Sequence, residues 1–175
     1  LPTRTRRQRQ MCIRDSLIGW RRVWQRTNLR NFSFLSVHKS GGSSIDGVIA
    51  NVPNGNWKKL DERETGYERI IGSEMVDHMS SKADSISFYR IPNYNLASVE
   101  KCPILLSYLD VVLMGFLQRF GRQGFLNFFE TTDCWDCGIF DDREMPKYPR
   151  AQEYENSFYA AVDNALIDHQ IDIKR

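Results

Sequence analysis

Cysteine and histidine are scarce in this sequence, and long apolar runs are missing. Four cysteines and three histidines are spread over 175 residues. With Cys12 set aside below, the odd trio Cys102, Cys134 and Cys137 argues against a disulfide framework and for a reducing compartment. A cytoplasmic location is the expectation. No stretch approaches the about 20 apolar residues that span a bilayer, so no membrane partner is expected. No internal repeat or low-complexity tract is present. Cys134-Trp-Asp-Cys137 lacks the strand-then-helix setting of a redox CxxC. Zinc would need two further ligands, and His38, His78 and His169 lie scattered, so neither metal nor cofactor is expected. A CxxC metal or redox module is kept only as a third reading, which metal analysis would test.

The chain's net excess of positive charge lies at one end. Residues 6–15 read RRQRQMCIRD, which is the peptide spelled by CGT CGG CAG CGT CAG ATG TGT ATA AGA GAC, a common sequencing adapter read in one frame. The adapter's trailing AG allows Ser16. Residues 1–16 therefore resemble translated adapter and are set apart from fold reasoning, against the competing reading of a basic arm or transit peptide. They hold five arginines and one aspartate, so the net charge of +2 becomes about −2 over residues 17–175. Clustered Lys and Arg are what displace counterions from phosphates. With that cluster removed, nucleic acid is excluded as a partner.

The rest suits a single α+β domain. Residues 18–25, 32–38, 44–52, 67–76 and 86–91 are rich in β-branched and aromatic side chains and read as strands. Ser40-Gly41-Gly42 and Pro53-Asn54-Gly55 read as turns between them. Residues 56–64 read as a short helix, capped by Asn54 or Asn56 and stopped by Gly66. Pro103 suits a first helical position, and residues 104–120 are apolar on nearly every face, as in a buried helix. A second, shorter helix is expected over 124–131. The loop 141–150 follows (DDREMPKYPR), and a last helix over 153–169 presents Phe158, Ala161, Val162, Ala165 and Leu166 on one stripe. The expected division is 1–16 adapter-derived, 17–152 domain, and 153–175 a helical extension.

Chemistry is most legible in residues 59–69 (KLDERETGYER). Asp61 and Glu64 lie three apart and would share a helix face. A carboxylate on rigid structure beside a glycine turn and a tyrosine suits a general base. A solvated helix face with charges capping their own turn is the plainer reading of the same residues.

LDERETGYERI resembles the LDxxEGYxR signature of the γ-glutamylcyclotransferase and AIG2-like family. GWRRVW resembles that family's second strand, and SSIDGVIANVP the strand leading into the helix. PILLSYLDVVLMGF and DDREMPKYPRA resemble the carboxy-terminal half of one bacterial branch. The resemblance covers most of residues 17–151. It implies a small mixed or antiparallel β-barrel-like sheet with packed helices, here with its first strand missing. It also implies an enzyme of γ-glutamyl metabolism. The α-amine of a γ-glutamyl amine or amino acid would attack its own γ-carbonyl, giving 5-oxoproline and releasing the amine. The motif's second acid falls on Glu64, which would move the protons. Ring closure is intramolecular, so holding the substrate folded supplies proximity.

The family's oxyanion donors come from a Tyr-Gly-Ser-Leu loop after the first strand. No such sequence occurs here, and Gly41-Gly42-Ser43 reads as a hairpin turn. The chain as it stands is expected to keep much of the fold and to lack turnover. The alternative is a non-catalytic ligand-binding or interaction protein of the same fold. Tyr89 matches a family tyrosine that lines the substrate pocket. Tyr67 follows the glycine turn and is a second candidate for substrate contact. Arg150 would hold a substrate carboxylate bidentately. Within the same loop, Asp142, Arg143, Tyr148 and Arg150 form a dense polar cluster, for which ion pairing that pins the loop is the plainer account. Oligomeric state is not legible.

Overall fold

The computed structural model describes residues 15–29, 31–78, 85–96 and 102–174. Residues 1–14, the body of the adapter-like segment, lie outside them. The described chain is α+β, with mixed sheets and three α-helices. The long strand β1 (Asp15–Arg26) anchors it, with Trp20, Arg22 and Trp24 buried on one face by the two-residue period of a strand. β1 begins two residues upstream of the boundary expected at Leu17. Asp15 is itself buried and accepts a hydrogen bond from the Ile49 amide at 2.8 Å.

β2 (Ser33–Gly47) pairs antiparallel with β1 along its length. The turn expected at Ser40-Gly41-Gly42 is instead a bulge inside this one strand. Trp20 faces Lys39 while Ile18 faces Ser44, so β2 carries extra residues opposite Gly19. Gly19 and Gly42 have φ of 80° and 78°, a backbone conformation open to glycine. The glycine pair thus bends a long strand rather than ending it.

The other edge of β1 is divided between two short partners. β4 (Val76–Asp77) pairs antiparallel with its start, and β7 (Thr132–Asp133) pairs parallel with its middle. A separate two-stranded unit joins β3 (Glu68–Ile71) to β5 (Ser87–Arg90). The strand expected over 67–76 breaks at Gly72, where a Cβ would sit 2.6 Å from the Phe88 ring. A turn of 3₁₀ helix then leads to β4. The helix α1 (Trp57–Arg63) stands before β3, with the Asn56 side chain accepting from the Lys59 amide at 3.0 Å.

The carboxy-terminal half forms the main core. Pro103 does not open a helix. Ile104 and Leu105, buried at 0% and 5% exposure, form the strand β6 (Ile104–Leu105) instead, parallel to β8 (Ile139–Phe140). β9 (Ile173–Lys174) completes that parallel sheet. The helix α2 (Leu106–Glu130) follows β6, interrupted at Gly121, whose φ of 68° and ψ of −167° separate the two expected helical stretches. Its face is not apolar all round: Gly115, Gln118 and Arg119 are exposed. α3 (Asn156–Asp168) buries Phe158, Val162, Ala165 and Leu166, while Ala161 lies exposed. These side chains pack with Trp24, Leu109, Leu113 and Phe128 in one cluster. Each fully buried aromatic or aliphatic side chain there contributes about 1.5–3 kcal/mol. The four-, two- and three-stranded sheets do not close into a barrel among the described residues. No described helix is long and apolar enough to cross a membrane.

The 141–150 loop is irregular as expected and is pinned by charge. Asp142 is buried and accepts from the Ser107 amide (2.8 Å), the Ser107 hydroxyl (2.7 Å) and the Lys147 amide (2.8 Å). A loop carboxylate therefore satisfies an orphan donor at the start of α2. Arg143 forks onto Asp110 with two 2.8 Å bonds and reaches Asp163 at 2.7 Å. Arg143 thus holds the loop by ion pairing and Asp142 by hydrogen bonds from two amides and a hydroxyl, while Tyr148 and Arg150 line the cavity described next.

Candidate functional site

Two cavities meet at the end of α1. The larger, about 590 Å³, lies between the α1 end, the segment after β2, and β5. The smaller, about 240 Å³, lies between the turn after α1 and the Tyr148–Arg150 segment. Glu64 and Arg63 line both. Glu64 is the residue that ends α1, with φ −87° and ψ 39°, and its amide still bonds back to Leu60. Gly66, at φ 97°, carries the turn that follows. The helix end thus sets the carboxylate on the shared wall, with its side chain 30% exposed.

Of the expected site residues, Tyr67 and Arg150 join Glu64 in the smaller cavity, and Tyr89 joins it in the larger. The four do not converge on one pocket. Glu64 Oε1 accepts two bonds from the neighbouring Arg63, at 2.9 and 2.7 Å, and Oε2 has none among the described residues. One carboxylate oxygen is therefore without a donor among the described residues.

Asp61 and Glu64 have parted company. Asp61 faces the β3–β5 unit, where Arg69 holds it through 3.0 and 3.2 Å bonds and the Tyr89 hydroxyl donates to it at 2.6 Å. Arg69 in turn lies 4.6 Å from the centre of the Trp57 ring. The Tyr89 bond, with Arg69 behind it, keeps the Asp61 carboxyl below the ordinary aspartate range. Burial and then the Asp61 charge push the Tyr89 phenol up to about 12. Tyr89 is a neutral hydroxyl committed to a carboxylate, so it offers the larger cavity its ring edge more than a free donor.

Tyr67 is committed as well, its hydroxyl donating to the Leu35 carbonyl at 3.1 Å. Its ring stands with Tyr108, Tyr148 and Phe34 around the smaller cavity. Tyr108 and Tyr148 are 4.6 Å apart at a 35° tilt, and burial drives the Tyr108 phenol upward. Arg150 is exposed at the rim, and its guanidinium meets no hydrogen-bonding or ionic partner among the described residues.

Ser87 went unnoticed in the sequence. Its hydroxyl is buried without a hydrogen-bond partner among the described residues, and it lines the larger cavity. The alternation of β5 sets Ser87 and Tyr89 on one face, a signal that was available once Tyr89 had been singled out. Arg22 was also unremarked. It is buried, bonds the Thr131 hydroxyl at 2.7 Å and the Asp46 carbonyl, and lies over the Phe116 and Phe128 rings. Burial pulls its guanidinium down to about 10.

Cys134 and Cys137 sit in different surroundings, Cys134 exposed and Cys137 buried with the Ser33 hydroxyl 3.7 Å from its sulfur. Among the described residues no three His, Cys, Asp or Glu side chains gather as metal ligands would.

No protein-family model matches this chain, and no curated protein matches it. Solved structures similar to it include the two that follow. One, described as uncharacterized protein loc79017 from Homo sapiens, is 13% identical, covering 87% of this chain and 83% of its own, with a TM-score of 0.48. The other, described as gamma-glutamyl cyclotransferase, is 13% identical, covering 88% and 84%, with a TM-score of 0.47.

Proposed function

We propose that the protein is a γ-glutamylcyclotransferase-like enzyme that converts a γ-glutamyl amine or amino acid to 5-oxoproline, with Glu64 as general acid and base. One observation carries this reading: the motif glutamate stands at a helix end on the wall common to two cavities, with one carboxylate oxygen unpartnered among the described residues. A γ-glutamyl head fits the larger cavity, with Ser87 as a hydrogen-bond donor and Tyr89 beside it. The α-amine nitrogen bonds to the γ-carbonyl carbon, and the amide C–N bond breaks. Glu64 takes a proton from the attacking nitrogen and returns one to the leaving nitrogen. Such transfer is typically worth 10²- to 10⁴-fold.

Donors for the developing oxyanion are the missing part, because no Tyr-Gly-Ser-Leu-like sequence is present. The direct assay supplies γ-glutamyl amino acids and follows 5-oxoproline, in the chain as it stands and in one extended by a strand and loop bearing that motif. Turnover by the extended chain alone, lost in Glu64→Gln, is the expected result. That same gap favours the second reading, a binding protein of this fold. Ligand binding with no turnover in either form would select it.

A further inference from the structure

We infer that the smaller cavity is the subsite for the released amino acid, and that it selects an aromatic one; this rests on the proposed role of Glu64. At about 240 Å³ the cavity falls below the about 300–1,000 Å³ of drug-sized sites and suits a single residue. Four of its twelve lining residues carry aromatic rings, Phe34, Tyr67, Tyr108 and Tyr148, and polar groups such as Glu64 and Arg150 line part of the rest. Phe34 lies 5.9 Å from Tyr108, and Tyr108 lies 4.6 Å from Tyr148, so the aromatic surface is packed before any ligand arrives. A flat apolar side chain gains from such offset and edge-on contact more than an aliphatic one of small size.

Charge selects the other end of the ligand. Arg63 is spent on Glu64, but Arg150 at the rim is unengaged by the described residues. A guanidinium fork matches a carboxylate in two bonds. An amine lacking a carboxylate would leave that fork idle. Glu64 lies on the wall toward the larger cavity, which puts the leaving nitrogen between the two and the amino acid's side chain among the tyrosines. The substrate class is therefore a γ-glutamyl aromatic amino acid rather than a γ-glutamyl alkylamine.

Binding to the chain as it exists tests this without turnover, by calorimetry with L-phenylalanine, L-alanine and phenethylamine. Phenylalanine should bind at least tenfold more tightly than either of the others. Arg150→Gln should erase its advantage over phenethylamine; Arg150 is exposed, and circular dichroism checks that the fold is kept. Equal affinity for phenylalanine and alanine, or unchanged phenylalanine binding in Arg150→Gln, overturns the subsite and leaves the role of Glu64 standing. Full cyclotransferase activity of Glu64→Gln would overturn that role instead, with or without an aromatic preference.

Discussion

The Tyr89 hydroxyl donates to Asp61 across 2.6 Å, tying β5 to the helix that ends at Glu64. Arg69, opposite Tyr89 in the β3–β5 register, bonds the same carboxylate. The first acid of the LDxxE segment is thus tied to the β3–β5 unit, while the second is held at one oxygen by Arg63 on the wall shared by the two cavities.

This tie has a pH signature. The folded state holds Asp61 below its ordinary value, so the stabilisation is fully present above about pH 4. It is lost as pH falls through the lower folded value. Tyr89→Phe removes the hydroxyl bond that does most to hold Asp61 ionised and should lower the melting temperature at pH 6. The gap between variant and parent should close on acidification, as melting curves from pH 6 down to pH 2 would record. A gap that widened in acid would contradict the assignment.

Asp142 offers a larger effect. Asp142→Ala strands the buried amide and hydroxyl of Ser107 and removes the acceptor of the part-buried Lys147 amide bond. The expected destabilisation is about 3 kcal/mol, against a smaller loss for Asp142→Asn, which keeps an acceptor. Urea denaturation of the two variants checks both size and order.

Two glycines should respond in opposite ways. Gly72→Ala drives a methyl to within 2.6 Å of Phe88, which is itself held edge-on by Trp20 at 4.8 Å. Overpacking of this kind costs about 1–3 kcal/mol. Gly47→Ala meets nothing within 4 Å, and restricting the unfolded chain there should be neutral or stabilising by up to about 1 kcal/mol. Similar losses at both positions would refute the packing account of the β3–β4 break.

Local chemistry made part of this structure legible and tertiary context hid the rest. Asn56, Gly66 and the apolar stripe of α3 announce themselves because a cap, a left-handed turn and a helical period act within a few residues. Gly41-Gly42 misleads, since the same freedom serves a turn or a bulge, and only the partner strand with Gly19 decides between them. Pro103 misleads in the same way: Ile104 and Leu105 gain more from parallel pairing with β8 than from a first helical turn. Arg22 could not be read as buried, because its partners Thr131 and Asp46 lie far along the chain. In the candidate site, the motif pointed to Glu64, while the division of Tyr67 and Arg150 from Tyr89 between two cavities depended on where the fold places residues 148–150 and β5.

Glu64 is proposed to move the protons in a γ-glutamyl cyclisation. The most direct measurement compares 5-oxoproline formation by the loop-extended chain and its Glu64→Gln variant, with circular dichroism showing both folded. A loss of at least 10²-fold in kcat with little change in KM is the expected result. Full activity in the variant would contradict it.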